Sequence, residues 1–279
     1  MSLRLLRALV RVRRRWSWCD HLWRAAVRYD DVLAGRLAAA IAYYGFFACF
    51  ALALLAYSLL GYLLAYDADV FRVVDDFLGQ NLPWLEPQAI EAGRGHTGIV
   101  GAVGLVVTGV GWIETIRSSQ RQVHGVPQQP GNLVLRWLVD LGLLAGLIVL
   151  VGVSMTVFYA LESLVRWLGG PSVSLTALGW LSAAALNVLL AAALLGGVAR
   201  VRLSRRRLLP AVALVAVGIT LLNTAGQLVI AYVRHNPAYS VVTGAVGLLL
   251  YLYLFNQILL FGAAWAATAG GRRPKAADR

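Results

Sequence analysis

The sequence predicts an all-α, polytopic membrane protein with six transmembrane helices and both termini in the cytoplasm. Three observations lead there. Of the 279 residues, 59% are hydrophobic and only 14% charged, against roughly 25% charged in an ordinary soluble domain. Six charge-poor runs, each near the length of about 20 residues that a helix needs to cross the hydrocarbon core, are separated by charges, Pro or Asn. The Lys and Arg residues outside these runs divide 21 to 4 between alternate sides, and the richer side, which holds both termini, is the cytoplasmic one by the positive-inside rule.

In order, residues 1–36 form a basic N-terminal segment. Arg4, Arg7, Arg11 and Arg14 recur at helical spacing opposite Leu3, Leu6, Val10 and Trp16, and Leu22, Trp23, Ala26 and Val27 repeat the apolar side. Both stretches read as basic amphipathic helices on the cytoplasmic leaflet, in contact with anionic headgroups. The apolar run that follows is too long for a signal-peptide core, so this segment reads as retained. The membrane domain, 37–268, holds spans at about 37–65, 97–116, 138–161, 173–198, 209–233 and 241–268. Span two reads as the shortest, ending near Glu114 and rich in Gly98, Gly101, Gly104, Gly109 and Gly111, which makes it the place for a hinge or break. Between the first two spans, Val70, Val73, Val74, Phe77 and Leu78 sit among Asp67, Asp69, Asp75 and Asp76. This predicts an acidic amphipathic helix over 68–79 that rests on the outer leaflet or covers the bundle. A basic tail occupies 269–279.

The formal charge of +12 follows the membrane, so no nucleic-acid partner is expected. "RVRLSRRRLLP" is a topology signal between spans four and five, with Pro210 placed near the first turn of the next helix and no stacking aromatics for RNA. Cys19 and Cys49 imply neither a disulfide framework nor a zinc site. His21, His96, His124 and His235 are scattered, and HExxH, GxSxG and P-loop motifs are missing. The chain therefore reads as no enzyme, with no metal and no cofactor. Its chemistry rests on polar groups in the spans, which are costly in lipid and face the bundle. Asn187, Asn223, Gln227, Asn256 and Gln257 are the candidates, the last four lining a polar cavity between spans five and six. Glu114 is expected to pair with Arg117 at i, i+3 and Asp140 with Arg136 at i, i+4. Tyr43 and Tyr44 lie about 100° apart around span one, one toward the bundle and one toward lipid. Gly98, Gly101, Gly104, Gly142, Gly146, Gly244 and Gly247 are read as close helix-packing positions.

The stretch "YDDVLAGRLAAAIAYYGFFACFALALLAYSLLG", Tyr29 to Gly61, resembles the first membrane segment of the YihY/BrkB family of six-span bacterial inner-membrane proteins, where an acidic pair precedes an Ala-rich run ending in Ala-Tyr-Tyr. "AYSVVTGAVGLLLYLYLFNQILLFGAAWAATA", Ala238 to Ala269, resembles its closing span. Two positions depart from the family pattern: Ala51 stands where the family usually has a proline, and Ala264 where a glutamate commonly follows Gly-Ala. The resemblance implies an inner-membrane location and a link to virulence or export of lipid-like envelope components. The family's ribonuclease BN label finds no nuclease metal ligands here. The expected function is transport of a lipid or other amphipathic envelope component through a polar cleft. The alternative is a non-transporting scaffold that recruits envelope proteins, and an intramembrane enzyme ranks behind both.

Overall fold

A backbone in hydrocarbon has no water to bond and must satisfy itself, which long apolar runs do by becoming helices. The computed structural model describes residues 17–66, 72, 87–128, 132–167, 172–201, 203–233 and 240–270, with no strand among them. In chain order the elements are α1 (Ser17–Asp31), α2 (Ala34–Tyr66), α3 (Pro87–His124), α4 (Leu133–Trp167), α5 (Ser172–Ala192) continued by a π-helical turn (Ala193–Val198), α6 (Arg205–Val233) and α7 (Ser240–Thr268). From α2 to α7, six helices are long and apolar enough to cross a membrane. The amphipathic segments expected over 1–16 and 68–79, Arg72 apart, and the tail beyond Gly270 lie outside the described residues.

Three boundary expectations are corrected. Span two is not short: α3 runs for 38 residues, and its polar end, Arg117 to His124, stays helical with Arg117 bonded to Asp140, Gln120 to the Leu194 carbonyl and Arg121 to the Ala199 carbonyl. The irregularity falls in span four instead, where α5 widens into the π turn around Gly196 and Gly197. Pro210 is the sixth residue of α6, beyond the first turn, so the Arg206 carbonyl loses its i+4 donor.

The chain divides into two compact units, Met1–Ala42 with Ile113–Arg279, and Tyr43–Trp112. In the second, α2 and α3 meet through small residues. A Cβ on Gly101 would lie 2.8 Å from the Leu55 amide nitrogen and 3.2 Å from the Ala51 carbonyl, and one on Gly98 would overlap the Ser58 hydroxyl. Buried Ala51 is part of this contact. The Tyr44 ring lies against Gly111, and Gly45 makes room for the Trp112 indole. Tyr43 points outward and stands edge-on to Tyr44 and Phe47.

In the larger unit the core follows α7, where Leu259, Leu260, Ala263, Ala264 and Ala266 are wholly buried. Helix α6 packs on α7 and α5, and α1 on α7. A Cβ on Gly262 would overlap Val215, so the missing side chain is what lets α6 and α7 approach. Helix α4 is different: its buried residues, Arg136, Asp140, Leu144 and Leu147, form one stripe near its start, and beyond Leu147 none of its described side chains is buried. Gly142, Gly146, Gly244 and Gly247 have nothing within 4 Å of a would-be Cβ.

These packing differences predict opposite effects of one methyl group. Gly101→Ala should lower the thermal midpoint in detergent, equivalent to about 1–3 kcal/mol of overpacking against rigid backbone. Gly142→Ala should leave the midpoint unchanged or raise it, since alanine is the better helix former by about 1 kcal/mol. Equal midpoints for the two variants would contradict the close approach at Gly101.

Candidate functional site

The polar end of α3 places Glu114, Arg117, Gln120 and Arg121 at i, i+3, i+6 and i+7, one helical face. The first turns of α4 bring Arg136 and Asp140 to the same end of the bundle, and the chain leaving the π turn brings Arg200. Arg117 is 0% exposed. Its Nη1 lies 3.1 Å and 3.0 Å from the two oxygens of Asp140, which is also 0% exposed. Arg200 donates from Nη2 to Asp140 Oδ1 at 2.6 Å. One carboxylate thus ties α3, α4 and the end of the α5 π turn together.

The second carboxylate is held more loosely. Glu114 Oε1 lies 3.6 Å from Arg117 Nη2 and 3.6 Å from Arg136 Nη2. The expected i, i+3 pair of Glu114 with Arg117 is present in this long form. The expected i, i+4 pair of Asp140 with Arg136 is corrected: Asp140 turns to Arg117 and Arg200 while Arg136 reaches back to Glu114, because a wholly buried guanidinium needs a counter-charge more than a neighbour on the same helix does.

Arg121 and Gln120 serve the π turn. Gln120 donates to the Leu194 carbonyl at 3.1 Å, and Arg121 Nη1 to the Ala199 and Arg200 carbonyls at 3.3 Å and 3.4 Å, while Arg121 Nε donates to Pro127 O at 2.6 Å. Arg200 sits at φ 50°, a left-handed conformation that costs a residue with a side chain about 1–2 kcal/mol. That backbone is held from both sides, by Arg121 on its carbonyl and by Asp140 on its guanidinium.

The layer carries more positive than negative charge: Arg117, Arg121, Arg136 and Arg200 face Glu114 and Asp140. Arg117 Nε and Nη2, Arg136 Nε and Arg200 Nε make no hydrogen bond among the described residues. Unpartnered charged donors in a buried site are expensive, so the layer is one place where the fold departs from its most stable arrangement.

Helix α1 closes the same end. Arg28 donates to the Val123 and Gln122 carbonyls at the end of α3, at 2.8 Å and 3.0 Å. His21 donates to Trp265 O at 3.0 Å and Arg24 to Thr268 O at 3.3 Å, at the end of α7. Arg28 and Arg24 on the last carbonyls of α3 and α7 complement both their unpaired acceptors and their dipoles. Partial burial lowers the Arg28 pKa from its ordinary value, opposed by the Asp31 carboxylate. Leu22, Trp23 and Val27 are exposed, and Trp18, exposed as well, has its ring 5.3 Å from that of Trp265 on α7.

The amides are placed separately. Asn187 donates to Thr220 Oγ1 at 2.9 Å, linking α5 to α6. Asn223 accepts from the Tyr251 hydroxyl at 2.6 Å, linking α6 to α7. Asn256 is fully buried and donates to Leu252 O on its own helix. Gln257 is half-buried and Gln227 exposed. No hydrogen bond joins any two of these amides among the described residues. Cys19 and Cys49 are free thiols, and no three His, Cys, Asp or Glu side chains among the described residues gather as metal ligands. Reading each acid against its own helix missed the layer. The shared face of Glu114, Arg117 and Arg121 and the Arg136–Asp140–Leu144–Leu147 stripe were the signals for it.

Asp140→Asn should therefore lower stability by about 3–5 kcal/mol, the expected consequence of stranding a buried cation. Arg200→Gln, at a side chain 29% exposed, should have a much smaller effect, because Arg117 keeps its counter-ion. Thermal unfolding in detergent distinguishes them, and equal losses would mean that Asp140 is not the hub.

The family model described as Virulence factor BrkB matches residues 25–279. Inner membrane protein YhjD of Escherichia coli (strain K12) is 27% identical over 271 residues, covering 89% of this chain and 80% of that protein. An uncharacterized protein of Dickeya dadantii (strain 3937) is 27% identical over 273 residues, covering 89% and 83%. No solved structure matches. A family match across nearly the whole chain and six helices able to span a bilayer lead to one assignment: the chain belongs to the BrkB family of integral membrane proteins.

Proposed function

We propose that the protein lies in the bacterial inner membrane with both termini cytoplasmic, and moves a lipid or other amphipathic envelope component across it without bond-making chemistry of its own. The location is supported by the name of the E. coli relative, and the orientation by the 21 to 4 division of Lys and Arg. The observation that carries the transport reading is the charge layer. Four arginines against two carboxylates at one end of an apolar bundle suit an anionic headgroup passing between water and the helices. The path is assigned to this layer and not to the amides of α6 and α7, of which Asn223 already spends its oxygen on Tyr251.

A non-transporting scaffold is the competing reading, and the same amide bonds favour it. Asn187 on Thr220 and Asn223 on Tyr251 use polar groups to join helices, as in a bundle that has only to hold its shape.

The test is translocation in proteoliposomes of headgroup-labelled lipids, read with a membrane-impermeant quencher. Wild-type protein should expose inner-leaflet label, and Arg136→Gln should slow this roughly tenfold, about the value of one charge-assisted contact. The Asn223→Leu/Gln227→Leu double variant should remain near wild type. A slow double variant beside a normal Arg136→Gln would move the path to the last two helices. No translocation of several lipid classes by folded protein would leave the scaffold.

A further inference from the structure

We infer that Arg117 and Arg136 bind a phosphate group, free or on a lipid headgroup, in the position that the Glu114 carboxylate occupies. The inference deepens the proposed function by naming the headgroup chemistry, and it rests on that reading for its place in transport; binding itself is measured separately.

Geometry carries it. Arg117 uses one nitrogen, Nη1, on Asp140, which leaves Nε and Nη2 of a wholly buried guanidinium without a hydrogen bond. Arg117 Nη2 and Arg136 Nη2 both approach the same Glu114 oxygen at 3.6 Å, whereas a charge-assisted N–H···O bond closes to about 2.7–2.9 Å. A single carboxylate oxygen shared at that distance satisfies neither donor. A phosphate presents several oxygens on one tetrahedral centre and can give one to each guanidinium, the geometry that makes arginine a phosphate ligand.

Charge and access agree. Arg117, Arg121, Arg136 and Arg200 outnumber Glu114 and Asp140, so the layer keeps its net positive charge when a phosphodiester monoanion takes the place of the Glu114 carboxylate, and moves toward neutrality when the more highly charged inorganic phosphate does. Glu114 is the member free to move: its side chain is 27% exposed, against 0% for Asp140 and Arg117. Beside Arg136, the exposed Leu133, Leu135 and Leu138 of α4 form an apolar approach along which a lipid brings a headgroup. Asp140 stays in place throughout, so the fold keeps its hub while the ligand exchanges with Glu114.

The full-length protein is reconstituted in phosphatidylcholine nanodiscs doped with phosphatidylglycerol. In parallel it is titrated in detergent with inorganic phosphate, against sodium chloride of equal ionic strength. Arg136→Gln should weaken apparent affinity about tenfold, the loss of one charge-assisted contact, and Glu114→Gln should tighten it several-fold by removing the competing carboxylate. A response to phosphatidylglycerol alone assigns the site to lipid headgroups, one to inorganic phosphate alone to free phosphate, and one to both to the phosphate group as such; each supports the inference. Affinity unchanged by both substitutions, or chloride matching phosphate, overturns it. Should Arg136→Gln fail to fold, a Glu114→Gln variant that binds no tighter than wild type overturns it alone. Binding without translocation would remove the transport reading and keep the phosphate site at Arg117 and Arg136, and translocation without binding would do the reverse.

Discussion

A guanidinium sealed inside a helix bundle has no solvent to stabilise it, and the arrangement of the charged layer depends on meeting that constraint at Arg117. Asp140 meets it. Because Asp140 is itself fully buried, it must in turn be surrounded by donors, and it takes them from α3 through Arg117 and from the end of the π turn through Arg200. The consequence is a joint between three parts of the chain that lie far apart in sequence. The left-handed backbone at Arg200, the donation of Arg121 to the neighbouring carbonyls and the reach of Gln120 to Leu194 all position groups around that joint.

Away from the joint the same chain uses different forces. Within Tyr43–Trp112 the contact of α2 with α3 is made by the absence of side chains, at Gly98 and Gly101, where van der Waals contact between backbones takes the place of a hydrophobic driving force that lipid does not provide. Between α6 and α7 the device recurs at Gly262. Helix α4 uses neither beyond its first turns: its later residues are apolar and outward, so what fixes it is the stripe that starts with Arg136 and Asp140. Electrostatics therefore does for α4 what small residues do for α2 with α3 and for α6 with α7.

Much of this architecture is legible in one dimension. Six spans follow from hydropathy because crossing a bilayer is a property of a segment alone, and both compositional anchors of the family resemblance, around Tyr43-Tyr44 and Gly262-Ala263, lie inside such segments. Span two shows where that reasoning stops. Treating Glu114 and Arg117 as the edge of a helix assumes that charges seek water, but Arg117 finds Asp140 instead and the helix continues to His124. The partner of Asp140 was illegible for the same reason: spacing displays Arg136 four residues away, while Arg200 is 60 residues distant and becomes a neighbour only when α5 returns to the same end of the bundle. The π turn is illegible too, since Gly196-Gly197 reads equally well as helix packing.

The residues that the layer leaves unsatisfied separate structure from function. If stability alone governed this end of the bundle, hydrophobic residues of similar volume in place of Arg117, Asp140 and Arg200 would serve as well or better, since buried ion pairs recover their desolvation penalty only with complete hydrogen bonding. Here it is incomplete: nitrogens of Arg117, Arg136 and Arg200, and Oδ2 of Asp140 itself, make no hydrogen bond among the described residues, and the one loosely held counter-charge is the partly exposed Glu114. A purely structural joint would have been closed by a second carboxylate at hydrogen-bond distance. An arrangement that keeps Asp140 fixed and Glu114 loose favours exchange at the looser position, the behaviour expected of a site that receives an anion and releases it again.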